Sequence, residues 1–182
     1  MRNAALLLIF CTVVTMRAGA PNSTNWQKIV SDRLPTYGHR NWIVVADSAY
    51  PAQSKDGIET VVVDADQMTV LRGVMGILSH AKHVTPIAYV DQELQFLNDK
   101  EAPGIDVYRQ QLSALLMGKA MQPMPHEQII NRLDEVSKTF RVLIIKTNMT
   151  LPYTSVFLQL DCAYWGPEAE KQLRERMAKA QK

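Results

Sequence analysis

A buried strand with a polar side chain at each end is predicted by residues 37–47, which read Tyr37-Gly38-His39-Arg40-Asn41-Trp42-Ile43-Val44-Val45-Ala46-Asp47. The four residues from Ile43 to Ala46 are apolar and mostly β-branched, a pattern typical of a strand covered on both faces. A histidine therefore precedes the strand, and an aspartate follows it. Two later segments, residues 125–128 and 151–155, bring another imidazole and a phenol to the ends of apolar elements. Such side chains at element ends indicate a site for a small polar ligand.

The remainder of the chain alternates between predicted strands and predicted helices. Predicted strands cover residues 43–46, 58–63, 84–90, 141–145 and 155–160. Predicted helices cover residues 26–34, 64–78, 91–98, 106–117, 125–137 and 167–179, and Met121 is assigned to an apolar helical stripe. Strands separated by helices favour a single layered α/β domain with a mostly parallel or mixed sheet and helices packed on it. A chain of 182 residues, 47% of them hydrophobic, is long enough to bury the core of such a domain.

The N-terminal segment has a different composition from the rest of the chain. Arg2 is followed by an apolar run over residues 4–16 and by the small residues Ala18-Gly19-Ala20. This order is typical of a secretory signal peptide, so residues 1–20 are interpreted as a signal and residues 21–182 as the domain. The run is shorter than the roughly 20 residues that a membrane-spanning helix needs, so no stable span is expected. A secreted or periplasmic protein is predicted, with a cytosolic N-terminal helix as the alternative.

The charge balance argues against a nucleic-acid partner. The chain has 20 Lys and Arg against 18 Asp and Glu, and residues 1–20 contain Arg2 and Arg17 but no acid, so residues 21–182 are formally neutral. A phosphate-binding surface needs clustered basic residues, which this sequence lacks. Cys162 is left without a partner once Cys11 is removed with the signal, so no internal disulfide is expected.

Several common chemistries lack their sequence motifs. The chain has neither the glycine-rich fingerprint of dinucleotide sites nor the phosphate loop of nucleotide triphosphatases. His80 and His83 could hold a metal only with a third ligand, and no cysteine or histidine stands near them in sequence to provide one. No metal and no organic cofactor are therefore expected.

The motifs that remain resemble those of the ribose pyranase and fucose mutarotase family, the RbsD/FucU proteins, which interconvert cyclic forms of free monosaccharides. The resemblance rests on Gly38-His39 with Asp47 eight residues after the histidine, on His126-Glu127-Gln128 at a helix start, and on Pro152-Tyr153 before the last strand. These anchors span roughly residues 25 to 161.

The resemblance implies a role for each anchor residue. It makes His39 the proton donor and makes Asp47, His126 and Tyr153 contacts of the sugar. The family's Pro-Tyr-Ala-Asn segment reads Pro152-Tyr153-Thr154-Ser155 here, so Ser155 stands where an amide is expected to hold the sugar. The resemblance also implies a ring-like homo-oligomer with its sites near subunit contacts, a free monosaccharide of the ribose or fucose class as ligand, and no cofactor.

The implied reaction suits these residue types. Opening a pyranose ring requires one proton to reach the ring oxygen while another leaves the anomeric hydroxyl. An imidazole titrates near neutral pH and can exchange protons at small cost, so it is a suitable acid or base. We therefore expect an isomerase, a mutarotase or pyranase. The alternative is a noncatalytic sugar-binding or transport accessory protein outside the cytoplasm.

Overall fold

The computed structural model describes residues 25–116 and 121–180. Its helices are α1 (Trp26–Arg33), α2 (Gln67–Ser79), α3 (Ile105–Leu115), α4 (His126–Val136) and α5 (Pro167–Ala180). Its strands are β1 (Trp42–Ala46), β2 (Ile58–Val62), β3 (Val84–Asp91), β4 (Met121–Met124), β5 (Val142–Lys146) and β6 (Val156–Cys162). The predicted signal, residues 1–20, and Met117 lie outside the described residues.

The strands form one mixed sheet in the order β2-β5-β1-β6-β3-β4. β6 is antiparallel to both of its neighbours, β1 and β3, whereas the other neighbouring pairs are parallel. Val156 of β6 lies opposite Val45 on one side and opposite Val90 on the other. The α/β fold class expected from the alternation of strands and helices is confirmed.

Apolar residues fill both faces of the sheet. β1 is buried at every position, as its uninterrupted apolar sequence predicts. Ile43 and Val45 point into a core shared with α1, α2 and α3. Trp42 and Val44 point into a second core on the opposite face, where α4 packs. Because both faces of β1 are covered, its neighbouring polar residues can reach solvent only beyond its two ends.

Two local predictions are wrong. Residues 91–98 do not form a helix, because β3 continues to Asp91 and a 3₁₀ turn, Gln92–Gln95, follows it. Met121 does not lie in a helical stripe but begins β4. β4 is short, contains Pro123 and pairs with β3 at the edge of the sheet, the position where a strand tolerates proline.

The C-terminal helix α5 lies outside the core, since none of its residues is buried. Its side chains are held by contacts one helical turn apart, such as the ion pair between Glu170 and Arg174. None of the helices in residues 25–116 and 121–180 combines the length and apolarity that crossing a membrane requires.

Candidate functional site

Polar residues gather where β1 and β3 end and β6 begins. Val45, Val156 and Val90 lie side by side across these three strands. Asp47 follows β1, Ser155 precedes β6 and Asp91 closes β3, so all three lie within two residues of that row. Neighbouring strands are about 4.8 Å apart, so the three side chains lie close together at the ends of these strands. This line of strand ends is the edge of the sheet that carries the candidate site.

The carboxylate of Asp47 is fixed by its own loop and by Ser155. The backbone N–H of Ala49 donates to Oδ1 of Asp47 at 2.9 Å. The hydroxyl of Ser155 donates to Oδ2 of Asp47 at 2.8 Å and accepts from the Asp47 backbone N–H at 3.2 Å. Ser155 is almost fully buried, whereas Asp47 is half-buried. The serine therefore orients the carboxylate through the only hydrogen that its hydroxyl can donate.

The loop before β6 holds Tyr153 in a rare backbone conformation. Its φ angle is +56°, in the left-handed region that residues other than glycine seldom adopt. The next residue, Thr154, is fully buried, and its carbonyl accepts hydrogen bonds from the Tyr108 hydroxyl at 2.5 Å and from the Gln67 amide. These anchors on α3 and α2 fix the loop, so that the Tyr153 ring stays 38% exposed beside the site.

His126 is held at three points at the start of α4. Its backbone N–H donates to both carboxylate oxygens of Glu93, at 3.1 Å each, which caps the helix. Its ring Nδ1 shares a hydrogen bond with Oδ1 of Asp91 at 3.1 Å. Its ring also meets the Tyr153 ring edge to face, with the centroids 5.6 Å apart. The imidazole side chain is 35% exposed, so it is oriented yet open to a ligand.

Asp91 is the buried acid of the site. It is 1% exposed, and burial raises its pKa from 3.8 to about 6, although the hydrogen bond and the charge of His126 oppose this rise. The charges of Glu93 and Asp47 raise the pKa further, since like charges disfavour ionisation. Within the described residues, Oδ2 of Asp91 has no hydrogen-bond partner. A buried oxygen without a partner is uncommon in folded proteins.

Tyr50 adds a second buried hydroxyl at this edge. Its ring packs against Phe157 with centroids 6.3 Å apart, and its side chain is 3% exposed. Burial raises the pKa of the phenol, and the charge of Asp91 adds to the rise. The Tyr50 hydroxyl also has no hydrogen-bond partner among the described residues. Within residues 25–116 and 121–180, two polar groups without a hydrogen-bond partner thus lie near Asp47 and His126.

His39 lies at the other end of β1. It follows Gly38 in a turn, and the backbone N–H of Arg40 anchors this turn by donating to the carbonyl of Leu160 at 2.8 Å. His39 is exposed and borders an open cleft of about 540 Å³ whose lining includes Tyr164 and Trp165. Five buried residues at about 3.3 Å each separate this turn from Asp47.

The sequence matches the RbsD / FucU transport protein family over residues 26–163. The match covers most of the chain. This protein is a member of the RbsD/FucU family. No curated protein matches its sequence significantly.

Solved structures of other RbsD/FucU proteins share the fold. Bacillus subtilis RbsD, complexed with D-ribose, has 17% sequence identity and a TM-score of 0.52, over 80% of this chain and 98% of its own. FucU from Bifidobacterium longum has 15% identity and a TM-score of 0.50, over 76% of this chain and 92% of its own. The shared fold agrees with the family match.

For this RbsD/FucU member, the structure brings together four of the five predicted site residues. Asp47, His126, Tyr153 and Ser155 share one edge of the sheet, and His39 stands apart from them. Their role in sugar binding stays a prediction. No group of three metal-ligating side chains converges within residues 25–116 and 121–180.

Sequence reasoning missed Asp91 and Tyr50 as site residues. The available signal for Asp91 was its place directly after the apolar run 84–90, which mirrors the place of Asp47 after the run 43–46. Tyr50 carries no comparable signal, because its burial depends on Phe157 from a strand far along the chain.

Proposed function

We propose that this protein is a cofactor-independent isomerase that interconverts cyclic forms of a free monosaccharide. The observation that carries the proposal is the meeting of Asp47, His126 and Tyr153 at one edge of the sheet in a member of the RbsD/FucU family. A pentose or deoxyhexose of the ribose or fucose class is the proposed substrate, because the Bacillus subtilis relative is complexed with D-ribose.

The proposed site offers the contacts that a sugar ring needs. Asp47 has accepting oxygens for sugar hydroxyls, and the half-exposed ring of Tyr153 provides an apolar edge with a phenol that can give or accept a hydrogen bond. Opening the ring breaks the bond between the anomeric carbon and the ring oxygen. One proton passes to that oxygen while the anomeric hydroxyl loses its own, and closure on the other face reverses both transfers. This is general acid and base chemistry.

We propose that His39 reaches this site from a second copy of the chain. A side chain cannot cross the roughly 16 Å of β1 that separates the His39 turn from Asp47. In a homo-oligomer, one chain can present its His39 face to the Asp47 edge of its neighbour. The His39 face carries Tyr164, 77% exposed, and Trp165, 42% exposed. Aromatic side chains of this kind are enriched in subunit contacts.

A second candidate function is noncatalytic binding of a monosaccharide, for example as a transport accessory. The observation that favours it is the separation of His39 from Asp47 within one chain, which leaves a single chain able to bind but without its proposed acid. The two candidates differ in whether the protein accelerates exchange between sugar forms.

Saturation-transfer NMR on the anomeric protons of D-ribose and L-fucose tests this choice. Wild type should transfer saturation between anomers or ring forms well above the buffer rate, and His39→Ala should lose most of this effect. His80→Ala is the matched control, because His80 is an exposed histidine whose ring bonds only within its own helix end. Line broadening of the sugar without exchange in wild type would establish the binding protein instead.

We further propose that the protein acts outside the cytoplasm, as secreted or periplasmic. The proposal is supported by the Arg2, apolar and small-residue order of residues 1–20. Mass spectrometry of the protein expressed from its full sequence should find an N-terminus near residue 21 in the extracytoplasmic fraction. An intact N-terminus in the cytoplasmic fraction would contradict the proposal.

A further inference from the structure

We propose that His126 is the base that removes the anomeric proton and that Asp91 positions it. This inference rests on the isomerase function proposed above. His39 is the proposed donor of a proton to the ring oxygen, and the inference assigns the group that accepts the proton of the anomeric hydroxyl. Two observations carry it: the hydrogen bond between Nδ1 of His126 and Oδ1 of Asp91, and the burial of that carboxylate.

The hydrogen bond decides which ring nitrogen of His126 is free. An ionised carboxylate can only accept, so Nδ1 must carry the hydrogen that it shares with Asp91. In the neutral ring Nε2 then holds the lone pair and can accept a proton. A carboxylate behind an imidazole fixes its tautomer and stabilises the cation that forms when it takes a proton. His126 and Asp91 are therefore arranged so that Nε2 of His126 can act as an oriented general base.

The surroundings of the ring support a chemical role over a purely structural one. The His126 side chain is 35% exposed, so packing does not enclose its ring and a ligand can approach it. Its exposed ring meets the half-exposed ring of Tyr153, which is held by a strained backbone. Among the described residues, the hydrogen bond from His126 is the only one that the Asp91 carboxylate makes, so the two side chains are coupled directly. Burying a carboxylate that is only partly hydrogen-bonded lowers the stability of the fold, and such losses are found mainly at functional sites.

The proposed step balances in protons and electrons. The proton of the anomeric hydroxyl passes to Nε2 of His126, and the oxygen that it leaves forms a carbonyl with the anomeric carbon. The bond from that carbon to the ring oxygen breaks, and the ring oxygen takes a proton from the acid, which we place at His39. Ring closure forms the bond from the ring oxygen to the anomeric carbon again: the attacking hydroxyl returns its proton to His39, and His126 returns its proton to the carbonyl oxygen. No oxidant, reductant or metal enters the step.

Three variants of the full-length protein test the assignment by rate. Asp91→Asn keeps the shape of the side chain but can donate its amide N–H to Nδ1 of His126. It should therefore favour the Nε2–H tautomer of His126, in which Nε2 cannot accept a proton. We expect kcat for D-ribose or L-fucose exchange to fall by about 10² to 10⁴, with KM changed by less than about threefold. His126→Gln should lower kcat similarly, and added imidazole should restore part of the rate in His126→Ala. Glu135→Gln, an exposed carboxylate on the same helix that pairs with Lys138, is the control and should leave both constants unchanged.

A spectroscopic readout separates a positioning role from general loss of structure. Long-range ¹H–¹⁵N correlation at pH 7.5 should show the Nδ1–H tautomer of His126 in wild type and its loss in Asp91→Asn. Wild type in the Nε2–H form, or Asp91→Asn with unchanged kcat, would overturn the inference. Wild type without any sugar exchange would overturn the isomerase function itself and the base assignment with it. Exchange in wild type that survives His126→Gln would overturn this inference alone.

Discussion

His39 and Asp47 lie beyond opposite ends of β1, whose five residues are all buried. The strand alone spans about 16 Å. The other residues that the family resemblance assigns to the sugar site lie at the Asp47 end. A single sugar ring cannot touch both side chains of one chain. If both act on the sugar, each site must be built from two chains.

Mixed oligomers of two inactive variants should therefore regain activity. His39→Ala removes the acid from one half of the site, and Asp47→Asn weakens the other half. Co-expressed in equal amounts, they should form contacts in which a wild-type His39 meets a wild-type Asp47, at about a quarter of all contacts in a symmetric ring. The anomeric exchange rate should rise from near background to about a quarter of wild type.

A second mixture provides the control for this experiment. Asp47→Asn and His126→Gln affect the same half of the site, so mixing them should restore nothing. Activity in this control mixture would show that Asp47 and His126 act from different chains. A mixture of His39→Ala and Asp47→Asn that stays inactive, although light scattering shows mixed oligomers, would contradict the two-chain site.

Ser155→Ala should weaken sugar binding without abolishing turnover. The Ser155 hydroxyl donates to Oδ2 of Asp47 at 2.8 Å, and its loss frees the carboxylate to rotate. A lost hydrogen bond of about 1 kcal/mol corresponds to a rise in KM of about fivefold, with kcat nearly unchanged. Ser48→Ala is the control, because Ser48 is exposed in the same loop as Asp47 and bonds through its backbone. Equal KM values in the two variants would contradict the positioning role of Ser155.

Much of the fold could be predicted because its elements carry local signals. β1 is readable as a buried strand from its apolar β-branched run, and α4 from its apolar spacing after Pro125. β4 has neither signal. Its residues Met121 to Met124 include a proline and no β-branched residue, and it is a strand only because it pairs with β3. Such pairing is a tertiary contact, which a local pattern does not report.

The candidate site was predictable only in part for the same reason. Asp47 and His126 stand at element ends that the sequence marks, whereas Asp91 looks like the start of a helix. The register of β3 with β4 places Asp91 opposite Met124, two residues before His126. That register creates the contact between the acid and the imidazole, and it depends on chain segments more than 30 residues apart. No spacing within either segment reveals it.

Asp91→Asn should change how stability depends on pH. The pKa of Asp91 is about 6 in the folded chain, above its ordinary value of 3.8, so between these pH values the folded state binds more protons than the unfolded state. This group therefore stabilises the fold at low pH, and its contribution is lost as the pH rises from about 4 to about 6. The free energy of unfolding of Asp91→Asn, relative to wild type, should rise by about 2 to 3 kcal/mol across that window. Urea titrations at several pH values measure this difference.

The charged neighbours of Asp91 allow a sharper check. His126 lowers the pKa of Asp91, whereas Glu93 and Asp47 raise it. In a His126→Gln background the pKa should therefore be higher, and the rise in relative stability of Asp91→Asn should extend above pH 6. Curves for wild type and Asp91→Asn that run parallel from pH 4 to pH 7 would show that the carboxyl titrates normally.

Two glycines of α2 should respond in opposite directions to alanine. A Cβ added at Gly73 would lie 2.4 Å from Cη2 of Trp26, the buried indole through which α1 packs on α2, so the ring would have to move. Gly73→Ala should lower the free energy of unfolding by about 1 to 3 kcal/mol, the usual cost of overpacking. A Cβ at Gly76 meets nothing within 4 Å, so Gly76→Ala should raise it by about 1 kcal/mol through helix propensity. The matched pair separates packing from propensity within one helix. Equal stabilisation by both substitutions in urea denaturation would show that Trp26 does not pack against Gly73 in solution.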